Sequence, residues 1–157
     1  VRAERRDGES APEAGRTRGV VVALKLHEPS DDLLEFAFTT AAARGAPLQA
    51  VHSRAVPLHA YTPWGVDHAV THEARQEARH DLDQALSPWH EKFPGVAVTD
   101  TVLLDSPARA VVTAAKGAGL LIVGRRRHHR TLAPRLGPVV HAAVHHARCP
   151  VAVVPHG

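Results

Sequence analysis

The sequence predicts an α/β protein: a parallel sheet with helices on both faces. Three observations carry that prediction. The runs GVVVALKL at residues 19–26 and LLIV at residues 120–123 are of strand length and almost wholly apolar, as strands buried on both faces require. Segments with apolar residues at helical spacing separate the strand-like runs. Strands that alternate with helices of ten or more residues pair in parallel through right-handed crossovers.

The elements follow in order. After the strand at 19–26, Pro29 breaks the chain and Ser30 is placed to cap a helix, with Asp31 and Asp32 at the positive end of its dipole. Leu34, Ala37, Phe38 and Ala41 then recur at helical spacing, and Gly45 ends the helix. A second strand covers residues 47–56, and residues 57–65 read as an irregular loop. A long helical pattern follows over residues 66–91, with Pro88 expected to kink or terminate it near its end. Residues 96–104 alternate apolar and polar side chains, which suits a strand near a sheet edge. Ser106 and Pro107 open a helix running to about residue 116, in the N-cap and first-turn positions. The run at 120–123 is the most apolar and is expected to be the central strand, ended by Gly124. A helix begins near Gly137, and residues 150–154 form the last strand.

Composition bounds the function. A chain of 157 residues holds one ordinary domain, and residues 19–157 are assigned to it. Residues 1–18 mix charges of both signs with Gly, Ser and Pro and read as a tail or linker, not a secretory signal. The chain has no methionine, so it is read as processed, cut from something longer, or begun at a non-standard start codon. The one cysteine, Cys149, forms no internal disulfide, and no run is apolar enough to span a membrane. A cytoplasmic setting without membrane contact is expected. Net charge is +3, but Arg125, Arg126, Arg127, His128, His129 and Arg130 stand together, with Arg135 close behind. Such a cluster permits anion contact and is more often a solvated surface, so a nucleic-acid partner is not expected.

In an open parallel sheet, ligands collect beyond the carboxyl ends of the strands where strand order reverses. The loop after the first strand and the segment from Gly124 to Gly137 fit that place. Glycine at 124 allows close backbone approach, and Gly137 stands where the free N–H groups of a helix N-terminus favour an anion. The plainer reading is a strand-ending turn and an N-cap.

Residues 123–154, VGRRRHHRTLAPRLGPVVHAAVHHARCPVAVV, resemble the C-terminal signature of the universal stress protein family: Gly, two residues, Gly, nine residues, Gly, then Ser or Thr. The segments ARGAPLQAVHS, SPWHEKFPGVAV and SPARAVVTAAKGAGLLIVG extend the resemblance over nearly everything from residue 19 onward. It implies the adenine nucleotide alpha hydrolase-like fold, a five-stranded sheet in the order 3-2-1-4-5. It carries the nucleotide-contacting positions onto Ala23, Lys25 and Ser53 at the ends of the first two strands. Around the glycine loop it carries them onto Gly124, Arg127, Gly137, Pro138 and Val139. It also implies pairing through the run from Pro150 to Val154, as a homodimer or with a like domain in tandem, which the apolar, uncharged edge favours.

Three positions depart from the family pattern. The Asp that holds adenine in ATP-binding members is matched by Lys25, the second glycine by Arg127, and the final hydroxyl residue by Pro138, which has neither a hydroxyl nor an N–H. These departures argue against ordinary ATP binding and leave open a different anion, or a nucleotide in another pose.

Other chemistry is weaker. His141 with His145, and His68 with His72, stand four apart on a helix, but neither a third ligand nor an HExxH pattern accompanies them, so no metal is expected. Ser106 is explained by capping and Cys149 by packing, and no catalytic residue is assigned. The expected function is a non-enzymatic stress-response module that dimerises and carries an altered ATP pocket. The alternatives are an ATP-binding member with an adapted pocket, a small phosphoanhydride-acting enzyme, and a structural partner with a vestigial pocket.

Overall fold

The computed structural model describes residues 18–127 and 136–157. The tail expected over residues 1–18, all but Arg18, lies outside the described residues, as do His128, His129, Arg130 and Arg135 of the basic cluster.

Along the chain come β1 (Val20–Leu24), α1 (Asp31–Arg44), β2 (Leu48–Ser53), a 3-10 turn (Leu58–Ala60), β3 (Tyr61–Thr62), β4 (Gly65–Val66) and α2 (His68–Lys92). They are followed by β5 (Val98–Leu103), α3 (Pro107–Ala114), β6 (Leu120–Arg126), α4 (Pro138–His146) and β7 (Val151–His156). Five strands make one sheet in the order β5-β2-β1-β6-β7. Every neighbouring pair is parallel. Counted by chain order within this sheet, that is the expected 3-2-1-4-5. β3 and β4 form a separate two-stranded antiparallel pair within what the sequence presents as an irregular loop.

Strand alternation explains the layers. In β1, Val20, Val22 and Leu24 point into a core shared with α1 and α2, while Val21 joins a second core with Val111 of α3 and Val140 of α4. β6 divides likewise, with Leu120 and Ile122 on the first face and Leu121 and Val123 on the second. Two buried faces leave no room for polar alternation, which is why both runs are apolar throughout. On the α1/α2 side, Ala74, Ala78, Leu82 and Leu86 form a buried stripe along α2 at intervals of four. It ends in an aromatic cluster, with ring centroids 5.9 Å apart for Phe38–Trp89 and 5.5 Å for Phe38–Phe93.

Several expectations are corrected. The middle of the sheet is β1, not the run at 120–123, because β2 and β5 stand on one side of β1 and β6 and β7 on the other. Gly124 does not end its strand: β6 continues to Arg126 because β7 runs beside it, pairing Gly124 with Val154 and Arg126 with His156. The last strand accordingly extends past Val154 to His156. Pro88 does not terminate α2, which runs four residues further to Lys92; the inward faces of Leu86 and Trp89 keep that last turn packed on the core. The helix opened by Ser106 stops at Ala114, before residue 116, and the first three strands are a few residues shorter than their apolar runs.

Candidate functional site

Strand order reverses between β1, whose next strand β2 lies on one side, and β6 on the other. Beyond their carboxyl ends opens a cleft of about 440 Å³ lined by Glu28, Pro29, Ser30, Arg126, Arg127, His156 and Gly157. A larger cleft of about 520 Å³ lies at the other end of the strands, around Gly45, Pro47 and Phe93. Its one charged lining residue, Lys92, is already held 3.5 Å from Glu35 and 5.1 Å over the Trp89 ring, so the chemistry is concentrated at the switch-point cleft.

Local sequence builds the walls. The Ser30 Oγ accepts the Leu33 N–H at 3.3 Å and fixes the start of α1, with Asp31 and Asp32 in its first turn. Arg126, reaching from the end of β6, forms an ion pair with Glu28 of the β1–α1 loop. The Arg127 N–H donates to the His156 carbonyl at 2.8 Å and extends the β6–β7 ladder into the cleft.

Gly124 lies beneath this pair, on the α1 face. A Cβ added there would stand 3.0 Å from the His156 ring and 3.2 Å from Leu33 Cδ2. Its missing side chain is thus the space taken by His156 and Leu33. Gly137, with φ of −63°, is the N-cap of α4 and has nothing within 4 Å of an added Cβ. Pro138 is the first helical residue, and no side chain caps the helix. Among the described residues no side chain therefore pairs with the N–H groups of that first turn.

The eight expected site residues do not converge on one point. Ala23 and Val139 are half-buried and pack against the α3/α4 core. Ser53 follows Val51 on that same face of β2, and Lys25 is exposed immediately beyond β1. Gly124 instead faces α1, and Arg127 lines the cleft on that side. Glu28, Ser30 and His156 line the cleft and were not singled out for it from sequence, and Arg126 was named only within the basic cluster. The even-numbered spacing of Leu120, Ile122, Gly124 and Arg126 is a legible signal for Arg126; the pairing of Arg126 with His156 is not. His52, also missed, is 8% exposed and its Nδ1 lies 3.0 Å from the Leu24 carbonyl, bracing the ends of β1 and β2.

Charge around the cleft is mixed. Lys25, Arg125 and Arg127 add positive potential, while Glu28 neutralises Arg126 and Asp31 and Asp32 oppose an anion at α1. Cys149 stands apart at the foot of β7, where burial pushes its thiol up against a smaller lowering by the Leu121 backbone.

A family model described as "Universal stress protein family" matches residues 17–155. The chain belongs to the universal stress protein family. A universal stress protein of Mycobacterium tuberculosis H37Rv is 36% identical to it over 134 residues, covering 85% of this chain and 44% of that protein. The chain thus spans less than half the length of this relative. A solved universal stress protein family structure from Burkholderia pseudomallei is 25% identical, with a TM-score of 0.59, covering 90% of this chain and 98% of that one. Another, a universal stress protein solved in complex with cAMP, is 23% identical with a TM-score of 0.56, covering 90% and 99%. As in these family members, the sheet is parallel and open with helices on both faces. No helix among the described residues is long and apolar enough to cross a membrane, and no group of three or more His, Cys, Asp or Glu side chains among them is arranged to hold a metal.

Proposed function

We propose that this universal stress protein domain is a cytoplasmic, non-enzymatic regulatory module that pairs through its β7 edge and holds an anion or nucleotide differently from an ordinary ATP site. One observation carries the reading: on the α1 side, the glycine frame is already filled. His156 and Leu33 take the space at Gly124, and Glu28 occupies the Arg126 guanidinium. Lys25, at the position that holds adenine in ATP-binding members, offers a donor where an acceptor is needed. The lost acceptor and the capless Pro138 each weaken an ATP pose on the scale of one buried hydrogen bond, about 1 to 3 kcal/mol.

Charge supports an anionic ligand all the same. Lys25, Arg125 and Arg127 stand at the ends of β1 and β6, and the cAMP complex of a family member supports the adenine-nucleotide class. Pairing is supported by β7, an edge strand whose Val153 is 37% exposed and lies on the same side of the sheet as α4, where Val144 is 51% exposed.

Calorimetric titration of ATP, with and without Mg²⁺, tests the pocket. The expected result is no saturable binding in the micromolar range. Micromolar binding of ATP with Mg²⁺ overturns the reading of an altered pocket.

A further inference from the structure

We propose that His141 and His145 of α4 form a site for a borderline divalent transition-metal ion of the Zn²⁺, Ni²⁺ or Cu²⁺ class, separate from the switch-point cleft. Two histidine pairs of this chain have the spacing that places side chains one above the other on a helix, and the structure separates them. The rings of His141 and His145 lie with centroids 4.3 Å apart and planes inclined at 50°. Among the described residues no such ring contact joins His68 and His72 at the start of α2.

The geometry suits chelation. Imidazole nitrogen binds Zn²⁺ at about 2.0 to 2.1 Å, so a tetrahedral ion draws two donor nitrogens to roughly 3 to 3.5 Å of each other. Rings with centroids 4.3 Å apart reach that arrangement by small side-chain rotations, without a change in the helix. Imidazole pairs select borderline ions over Mg²⁺ and Ca²⁺, which favour oxygen. Both residues are exposed, so a hydrated ion reaches them without burying charge, and no hydrogen bond or ion pair to either ring is found among the described residues. The helix C-terminus favours an imidazole at His145 and His146, but it asks nothing of His141, a full turn earlier. Two protein ligands leave the other coordination positions to water, which makes the site reversible.

Titration of ZnCl₂ into the full chain, followed by calorimetry, tests the assignment. The expected result is a saturable site that His141→Ala and His145→Ala each weaken on the order of 10- to 100-fold, the scale known for disturbing even the partners of metal ligands. His68→Ala is expected to leave it unchanged. Zn²⁺ is also expected to raise the Tm of the wild type and not of the double variant, because only folded α4 holds both rings together. Both positions are exposed, so the variants are expected to fold, and His141→Gln supplies a milder substitution should His141→Ala lose its circular dichroism. Wild-type affinity in the His141→Ala/His145→Ala chain assigns the ion elsewhere and overturns the proposal, as does an equal loss in His68→Ala.

Discussion

Replacing Gly124 by alanine sets a methyl carbon 3.0 Å from the His156 ring and 3.2 Å from Leu33 Cδ2, so one of them must give. We expect a loss of about 1 kcal/mol in urea denaturation, the low end of overpacking costs because the imidazole is the far end of its side chain. In a His156→Ala background the same change should cost measurably less; an undiminished cost would show that His156 is not what fills the space. Lys25→Asp supplies an acceptor where the family resemblance matches Lys25 to the adenine-holding Asp. We expect it to strengthen ATP binding about tenfold, the value of one charge-assisted hydrogen bond, and calorimetry on wild type and variant reads this directly. Cys149 gives a pH signature. Burial favours the neutral thiol, so thiolate appears only above the ordinary cysteine range, and iodoacetamide should react more slowly at pH 8 than with a free thiol. The thiol's contribution to stability is likewise present below its unfolded pKa and lost as pH rises through the raised folded one. An alkylation profile matching that of an unperturbed cysteine would contradict this placement.

Helix starts were legible because a cap is a local device. Ser30 accepts the Leu33 N–H and Ser106 the Arg109 N–H, as a hydroxyl residue before Asp-Asp or Pro implies. Ser106→Ala is expected to cost about 1 kcal/mol, read as a lower Tm. The left-handed Gly45, at φ 59°, closes α1 by the same local logic. Element ends set by neighbours were not legible. Gly124 reads as a strand end until β7 is laid beside it and carries the ladder on to Arg126. Pro88 reads as a kink or a stop near the end of its helix, and only the buried Leu86 and the packing of Trp89 show that the following turn is held in place.

At the scale of the whole molecule, β7 is an edge strand whose exposed Val153 shares a side of the sheet with α4. If that edge pairs, Val153→Lys places like charges across a two-fold contact, and the dimer is expected to dissociate in light-scattering chromatography while the monomer keeps its circular dichroism. A wild-type chain that runs as a monomer at high concentration contradicts the pairing. The alternation of doubly buried strands with amphipathic helices determined the parallel α/β fold by itself, because periodicity and caps are local properties of the chain. The glycine-loop signature pointed to the strand ends as the candidate site. Only the tertiary structure decided what stands there: that His156 fills the gap at Gly124, that Glu28 pairs with Arg126, and that of two equally spaced histidine pairs only His141 and His145 bring their rings together. The first two contacts join residues from distant segments, and the third depends on side-chain rotamers; spacing along one strand or helix specifies neither.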